Sequence, residues 1–148
     1  MAFEIQQPPY RVTDDRAAVD VTFVCKLLAT SYWAGDRPAE VIAASWRSPA
    51  IVPFTVLFGD QPVGFARVVT DRLTFGWLAD VMVDPAHRGK GLGKLIVRAV
   101  SEYPDLQGHV RMLLATKDAH GLYEQVGFVR REMMWRNPPT SVDPLKDM

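Results

Sequence analysis

The chain has 148 residues, 48% hydrophobic and 23% charged, with one cysteine and 17 Lys plus Arg balanced by 17 Asp plus Glu. These totals exclude a disordered chain, a disulfide-stapled scaffold and a broadly basic nucleic-acid-binding surface. They fit a single domain over residues 1–148, large enough for one real core.

Taken in chain order, "FEIQQPPYRVT" reads as a proline-interrupted strand region at a sheet edge. Asp14 and Asp15 favour a helix start, and Val21, Val24, Cys25 and Leu28 then follow the stripe of an amphipathic helix, with Cys25 as a buried thiol. "SYWAGD" breaks that helix. Asp36 is placed to cap a second one, carrying Val41, Ile42, Ser45 and Trp46 on one face and ending at Ser48-Pro49.

The next stretch is rich in β-branched and aromatic residues and predicts three strands, near 53–58, 62–69 and 73–83, joined as an antiparallel meander. "DPAHRGKGLGKLI" follows, then a helix with Leu92, Leu95, Ile96, Ala99, Val100 and Tyr103 on one stripe. "HVRMLLAT" reads as a short buried strand. Asp118 is placed to cap a last helix with Ala119, Leu122, Tyr123 and Val126 inward and Gly127 at its C-terminus. "FVRREMMWR" predicts a final strand, and residues 137–148 a loose tail. The order implies a mixed α/β sheet with helices on its faces.

The three glycines before the long helix, Gly89, Gly91 and Gly93, fit neither familiar phosphate spacing. A dinucleotide fingerprint needs glycine where Lys94 stands, and a P-loop needs glycine at Arg88 and Ser or Thr at Leu95. The strand–glycine-loop–helix order still leaves backbone N–H groups free to face an anion. Arg88, Lys90 and Lys94 are candidate charge partners. A tight turn with no ligand is the alternative. Asp80 interrupts the apolar "WLADVMV", either facing a slot with a raised pKa or pairing with Arg67 of the preceding strand. His87, His109 and His120 share no metal-ligand spacing and read as solvated, with His87 nearest the loop; no metal is expected.

"RGKGLG" after "DVMVDP", together with "DAHGLYEQVGF", resembles the GNAT (Gcn5-related N-acetyltransferase) superfamily. The resemblance covers residues 52–136 well and the first fifty by element order alone. It implies a GNAT fold: a mixed sheet of six to seven strands flanked by about four helices, with splayed central parallel strands. It implies acetyl-CoA as co-substrate, its pyrophosphate on the backbone of Arg88, Gly89, Lys90, Gly91, Leu92 and Gly93 and its pantetheine arm along Val81, Met82 and Val83. Tyr123 is then the general acid that protonates the leaving thiolate, or else an inward-facing core residue. Asp80, by its place in the apolar strand, is the candidate base; "RMLLAT" departs from the family in carrying no glutamate and "ATKDAH" in lacking an asparagine, which leaves the base and one polar CoA contact open.

Tyr32, Trp33 and Arg67 are placed at the acceptor pocket, the two aromatic rings either walling a cationic amine or packing on the sheet. The activity implied is acetyl transfer to a primary amine by direct attack in a ternary complex. A silent acyl-CoA-binding module and a protein-directed acetyltransferase are the alternatives. A small-molecule amine is the expected partner, with neither nucleic acid nor membrane, and a homodimer is common in the family. No apolar run approaches the roughly 20 residues of a membrane span, and residues 1–15 lack the regions of a secretion signal. The expected location is cytoplasmic.

Overall fold

The computed structural model describes residues 1–139. β1 (Glu4–Gln7) and β2 (Tyr10–Thr13) form a hairpin at one edge of the sheet, so the interrupted strand region is two strands with Pro8-Pro9 in the turn. Asp15 caps only a 3₁₀ turn, Arg16–Ala18. The first helix, α1 (Val21–Leu28), is capped instead by Asp20, whose carboxylate accepts from the Phe23 N–H at 3.0 Å. Val24, Leu27 and Leu28 are its buried residues, and Cys25 is half-buried rather than enclosed. α2 (Ala39–Arg47) has Pro38, not Asp36, at its N-cap; Ile42 and Trp46 face inward and Val41 is exposed.

The meander is present as β3 (Ile51–Phe58), β4 (Gln61–Thr70) and β5 (Phe75–Val83), all antiparallel. The β4–β5 turn is held by Asp71, whose carboxylate accepts from the N–H groups of Leu73, Thr74 and Phe75 and from the Thr74 hydroxyl. α3 (Leu92–Glu102) buries Leu92, Leu95, Ile96, Val97, Ala99 and Val100. Its far end meets the hairpin: the Tyr103 hydroxyl donates to Asp14 at 2.6 Å, and Asp14 also accepts from Phe3 N–H. Asp14 therefore joins two elements rather than starting a helix. β6 (Arg111–Leu113) adds to β5 in parallel, completing the order β1-β2-β3-β4-β5-β6. α4 (His120–Glu124) begins at Ala119, whose N–H donates to the Thr116 hydroxyl, so Asp118 is not its cap. Gly127, with φ +94, follows it, and Val126 is exposed rather than inward.

Residues 128–136 do not form the expected final strand. β6 pairs over three residues only, which offers a short ladder, and Val129, Met133 and Met134 stand exposed. The sheet accordingly has six strands among the described residues, and its parallel pair lies at an edge rather than in the centre. Most of the expected tail, from residue 140 on, lies outside the described residues.

The sheet separates two apolar layers. On one side α3 and Tyr123 of α4 pack on Val52, Phe54, Val56, Ala66, Val68 and Leu78. On the other, α1 and α2 cover Ile51, Phe65 and Met82. Phe54 has no exposed surface, and its replacement by alanine is expected to cost about 3–5 kcal/mol in urea denaturation. Val129→Ala, in the unpaired segment, is expected to stay within about 0.5 kcal/mol. A large loss at Val129 would show that the segment pairs as a strand.

Candidate active site

The site is organised by an irregularity in β5. Arg67 pairs with Ala79 and Phe65 with Met82, so β5 carries one residue more than β4 between these positions. The extra residue is accommodated by Asp80, which has φ +58. A left-handed conformation costs an L-residue about 1–2 kcal/mol, and aspartate is among the side chains that tolerate it. The bulge also shifts the alternation of the strand. Leu78, Val81 and Val83 point to the α3 side, and Met82 to the α1–α2 side. Asp80 is directed to partners from the α1–α2 connection and from β4.

These partners saturate it. Arg67 Nε donates to Oδ2 at 2.7 Å, Arg37 Nη1 to both oxygens at 3.3 Å, and Trp33 Nε1 to Oδ1 at 3.0 Å. Asp80 is only 4% exposed. Burial alone would raise its pKa, but the charges of Arg67 and Arg37 and the hydrogen bonds from Arg67 and Trp33 outweigh it and hold the carboxyl below its ordinary 3.8. The upward shift expected of a base in an apolar strand is therefore reversed, and the pairing with Arg67 is present.

Beyond the register pair Trp77–Leu113, β5 and the chain after β6 diverge. A cleft of about 220 Å³ opens between them, lined by Leu78, Ala79, Asp80 and Val81 on one wall and by Leu114, Ala115, Thr116, Asp118, Ala119 and Tyr123 on the other. Tyr32, Trp33, Arg37, Arg67, Trp77 and Trp135 complete it. Tyr123 is buried, and burial, followed by the nearby Tyr32 and Asp118, pushes its pKa up to about 12. Among the described residues nothing hydrogen-bonds its hydroxyl. Tyr32 and Trp33 meet edge to face with centroids 4.9 Å apart, and the Tyr32 hydroxyl accepts from Lys117 N–H. Both aromatic rings thus line the cleft and pack at the same time.

Arg37 and Trp135 were not singled out by the sequence. Arg37 lies in the loop before α2 and reaches Asp80 across 43 positions, a contact without local signature. Trp135 sits in the expected last strand but stacks at 5.8 Å on Trp77 and closes one side of the cleft.

The glycine loop lies at the other end of β5. A 3₁₀ turn, Pro85–His87, capped by Asp84, leads into it. Gly89 and Gly91 both have φ +77, with Gly91 at the N-cap of α3. The first backbone bond of the helix is Leu95 N–H to Gly91 C=O, so the N–H groups from Gly89 to Lys94 have no acceptor among the described residues. A Cβ at Gly89 would meet nothing within 4 Å. The loop is open to an approaching anion, and Lys90 and Lys94 are exposed beside it. Arg88 folds back instead, its Nε donating to the Val83 carbonyl at 3.2 Å. His87 is half-buried rather than solvated: it shares a 2.9 Å hydrogen bond with the Tyr10 hydroxyl and packs on Phe58. No group of three or more His, Cys, Asp or Glu among the described residues is placed to hold a metal ion. No helix among them is long and apolar enough to cross a membrane.

The strand, glycine loop and helix, and the cleft where two parallel strands part, all fall within residues 3–128, which the model of the acetyltransferase (GNAT) family matches. The chain belongs to the GNAT acetyltransferase family. FG08082 of Gibberella zeae, named as an acetyltransferase, is 31% identical over 141 residues, covering 80% of this chain and 78% of that protein. A GNAT-family protein of Xanthomonas campestris pv. campestris has a solved structure that is 35% identical, with a TM-score of 0.81 over 90% of this chain and 96% of its own. A shorter stretch of 59 residues is 36% identical to glucosamine 6-phosphate N-acetyltransferase 1 of Oryza sativa subsp. japonica, covering 39% of this chain and 36% of that enzyme.

Asp80→Asn keeps a residue that tolerates positive φ while removing the one negative charge that faces two arginines. It is expected to cost about 3–5 kcal/mol, because a guanidinium is left uncompensated in a buried setting. Since the folded pKa of Asp80 is depressed, its stabilisation is complete above the unfolded value near 3.8 and is lost as pH falls further. Thermal melts from pH 7 to pH 2 should show this acid loss in the wild type and a smaller one in Asp80→Asn; parallel curves would exclude it.

Proposed function

We propose that the protein is an acetyl-CoA-dependent N-acetyltransferase acting on a primary amine of a small molecule by direct attack in a ternary complex. The observation that carries this reading is the place of Tyr123: its hydroxyl has no protein partner among the described residues, and its side chain lines the cleft where β5 and β6 part. The free amides from Gly89 to Lys94 fit a pyrophosphate, and the open backbone edge of Val81 to Val83 fits an extended arm that pairs as a strand would. Acetyl-CoA, when bound, supplies an activated acyl thioester.

The chain's own residues then divide the work. The loop from Arg88 to Gly93 holds the diphosphate, with Lys90 and Lys94 adding charge. Tyr123, with its pKa pushed up to about 12, keeps its proton throughout the neutral range and is able to give it to a departing thiolate. Asp80 is a weak base here because its oxygens are already engaged; its role is to hold Arg67, Arg37 and Trp33 in position. The proton lost by the incoming ammonium passes to water at the cleft mouth. A small acceptor agrees with the size of the cleft, which lies below the roughly 300–1,000 Å³ of drug-sized ligand sites. It also agrees with the named activity of the rice relative.

Tyr123→Phe is expected to lower kcat by about 10²–10⁴ in a thiol-release assay while leaving acetyl-CoA affinity by calorimetry unchanged. In the wild type, no alkaline loss of rate from Tyr123 is expected between pH 7 and 10, because its proton is held well beyond that range. Unchanged turnover in Tyr123→Phe would remove the phenol from the mechanism.

A further inference from the structure

We propose that the acceptor amine also carries an oxyanion, a carboxylate or a phosphate, held by Arg37 and Arg67 while the amino group faces Asp118 and Tyr123. This rests on the transferase reading above and narrows its acceptor to a small molecule with separated opposite charges.

The argument begins with an imbalance. Two guanidinium groups meet one carboxylate at Asp80, leaving one positive charge without a counterpart in the cluster. Each guanidinium has five N–H donors. Asp80 engages only Nε of Arg67 and Nη1 of Arg37. The terminal nitrogens of Arg67, and Nε and Nη2 of Arg37, make no side-chain hydrogen bond among the described residues. They are not sealed off either, since the indole nitrogen of Trp46 is the one fully buried side-chain polar atom without a partner among those residues. Both arginines line the cleft.

Two further features decide for an oxyanion. The planar fork of arginine matches carboxylate and phosphate oxygens, and such bonds strengthen where water is scarce. Asp80 also fixes the arginines in advance, so little order is lost when a ligand arrives. A neutral amine would leave these donors facing the cleft with water alone.

The same cleft also carries the complementary sign. Asp118 is exposed at the cleft, has no ion pair among the described residues, and lies close enough to Tyr123 to help raise its pKa. Lys117 next to it is turned onto the Tyr32 ring, with Nζ 5.6 Å from the centroid. Two arginines, from the α1–α2 connection and from β4, and a carboxylate near the phenol thus present opposite charges within one small cavity. An ammonium drawn to Asp118 is held next to the proposed proton donor.

The test uses matched amines that differ in the anionic group: 4-aminobutyrate against butylamine, and O-phosphoethanolamine against ethanolamine. Binding to the full chain is measured by calorimetry, with and without CoA, and turnover by thiol release from acetyl-CoA. At least one anionic member is expected to bind roughly 10- to 100-fold more tightly than its neutral partner, as hydrogen bonds to charged groups imply. The pair that discriminates identifies carboxylate or phosphate. Arg37→Gln, in a loop, is expected to erase that preference by raising KM for the anionic amine with kcat little changed. Equal binding within both pairs by the wild type overturns the proposal, as does a preference that survives Arg37→Gln. Preferential binding without thiol release upholds it and instead removes the transferase reading on which it was placed.

Discussion

The buried ion cluster at Asp80 is the constraint around which the rest of the molecule is arranged. An aspartate in the middle of an apolar strand is tolerable only if its charge is met, and here three side chains from two separate parts of the chain meet it. The bulge and positive φ at Asp80 place the carboxylate within reach of those donors. The cluster thereby fixes Trp33 and Arg37 of the α1–α2 connection against β4 and β5. These residues form the floor of the cleft. Stability and site geometry therefore share one set of contacts.

The two ends of β5 serve different chemistry. At its C-terminal end the strand passes through Asp84 into a turn whose glycines leave six consecutive amides open at the start of α3. In its middle it loses β6 as a neighbour, and the gap is the cleft. One strand therefore connects a glycine loop with open amides to a cleft lined by Tyr123. The chain belongs to the acetyltransferase family, and in the proposed function a donor with a phosphate-bearing handle and a reactive acyl end engages both.

Much of this was legible in residue types. Gly89 and Gly91 are glycines where the backbone has φ +77, and the helix after them carries the expected buried stripe. The three-strand meander follows from β-branched residues punctuated by turns, and Tyr123 lies on an inward face. Local preferences failed where nearby alternatives compete. Asp15 and Asp36 looked like caps, but Asp20 and Pro38 hold those positions. "FVRREMMWR" has strand composition, yet a three-residue β6 gives it little edge to pair with, and Trp135 rests on Trp77.

The sequence by itself determined the order of the elements from α1 to α4, the glycine loop and the presence of a charge that the sheet must neutralise, because these depend on backbone freedom and short-range periodicity. Only the tertiary structure decided the sign of the Asp80 shift. Burial raises its pKa and two arginines lower it, and one of those arginines arrives from 43 residues away. The same holds for the cleft. Its walls come from segments far apart in the chain, and Arg37, Arg67 and Asp118 come to line one cavity only on folding.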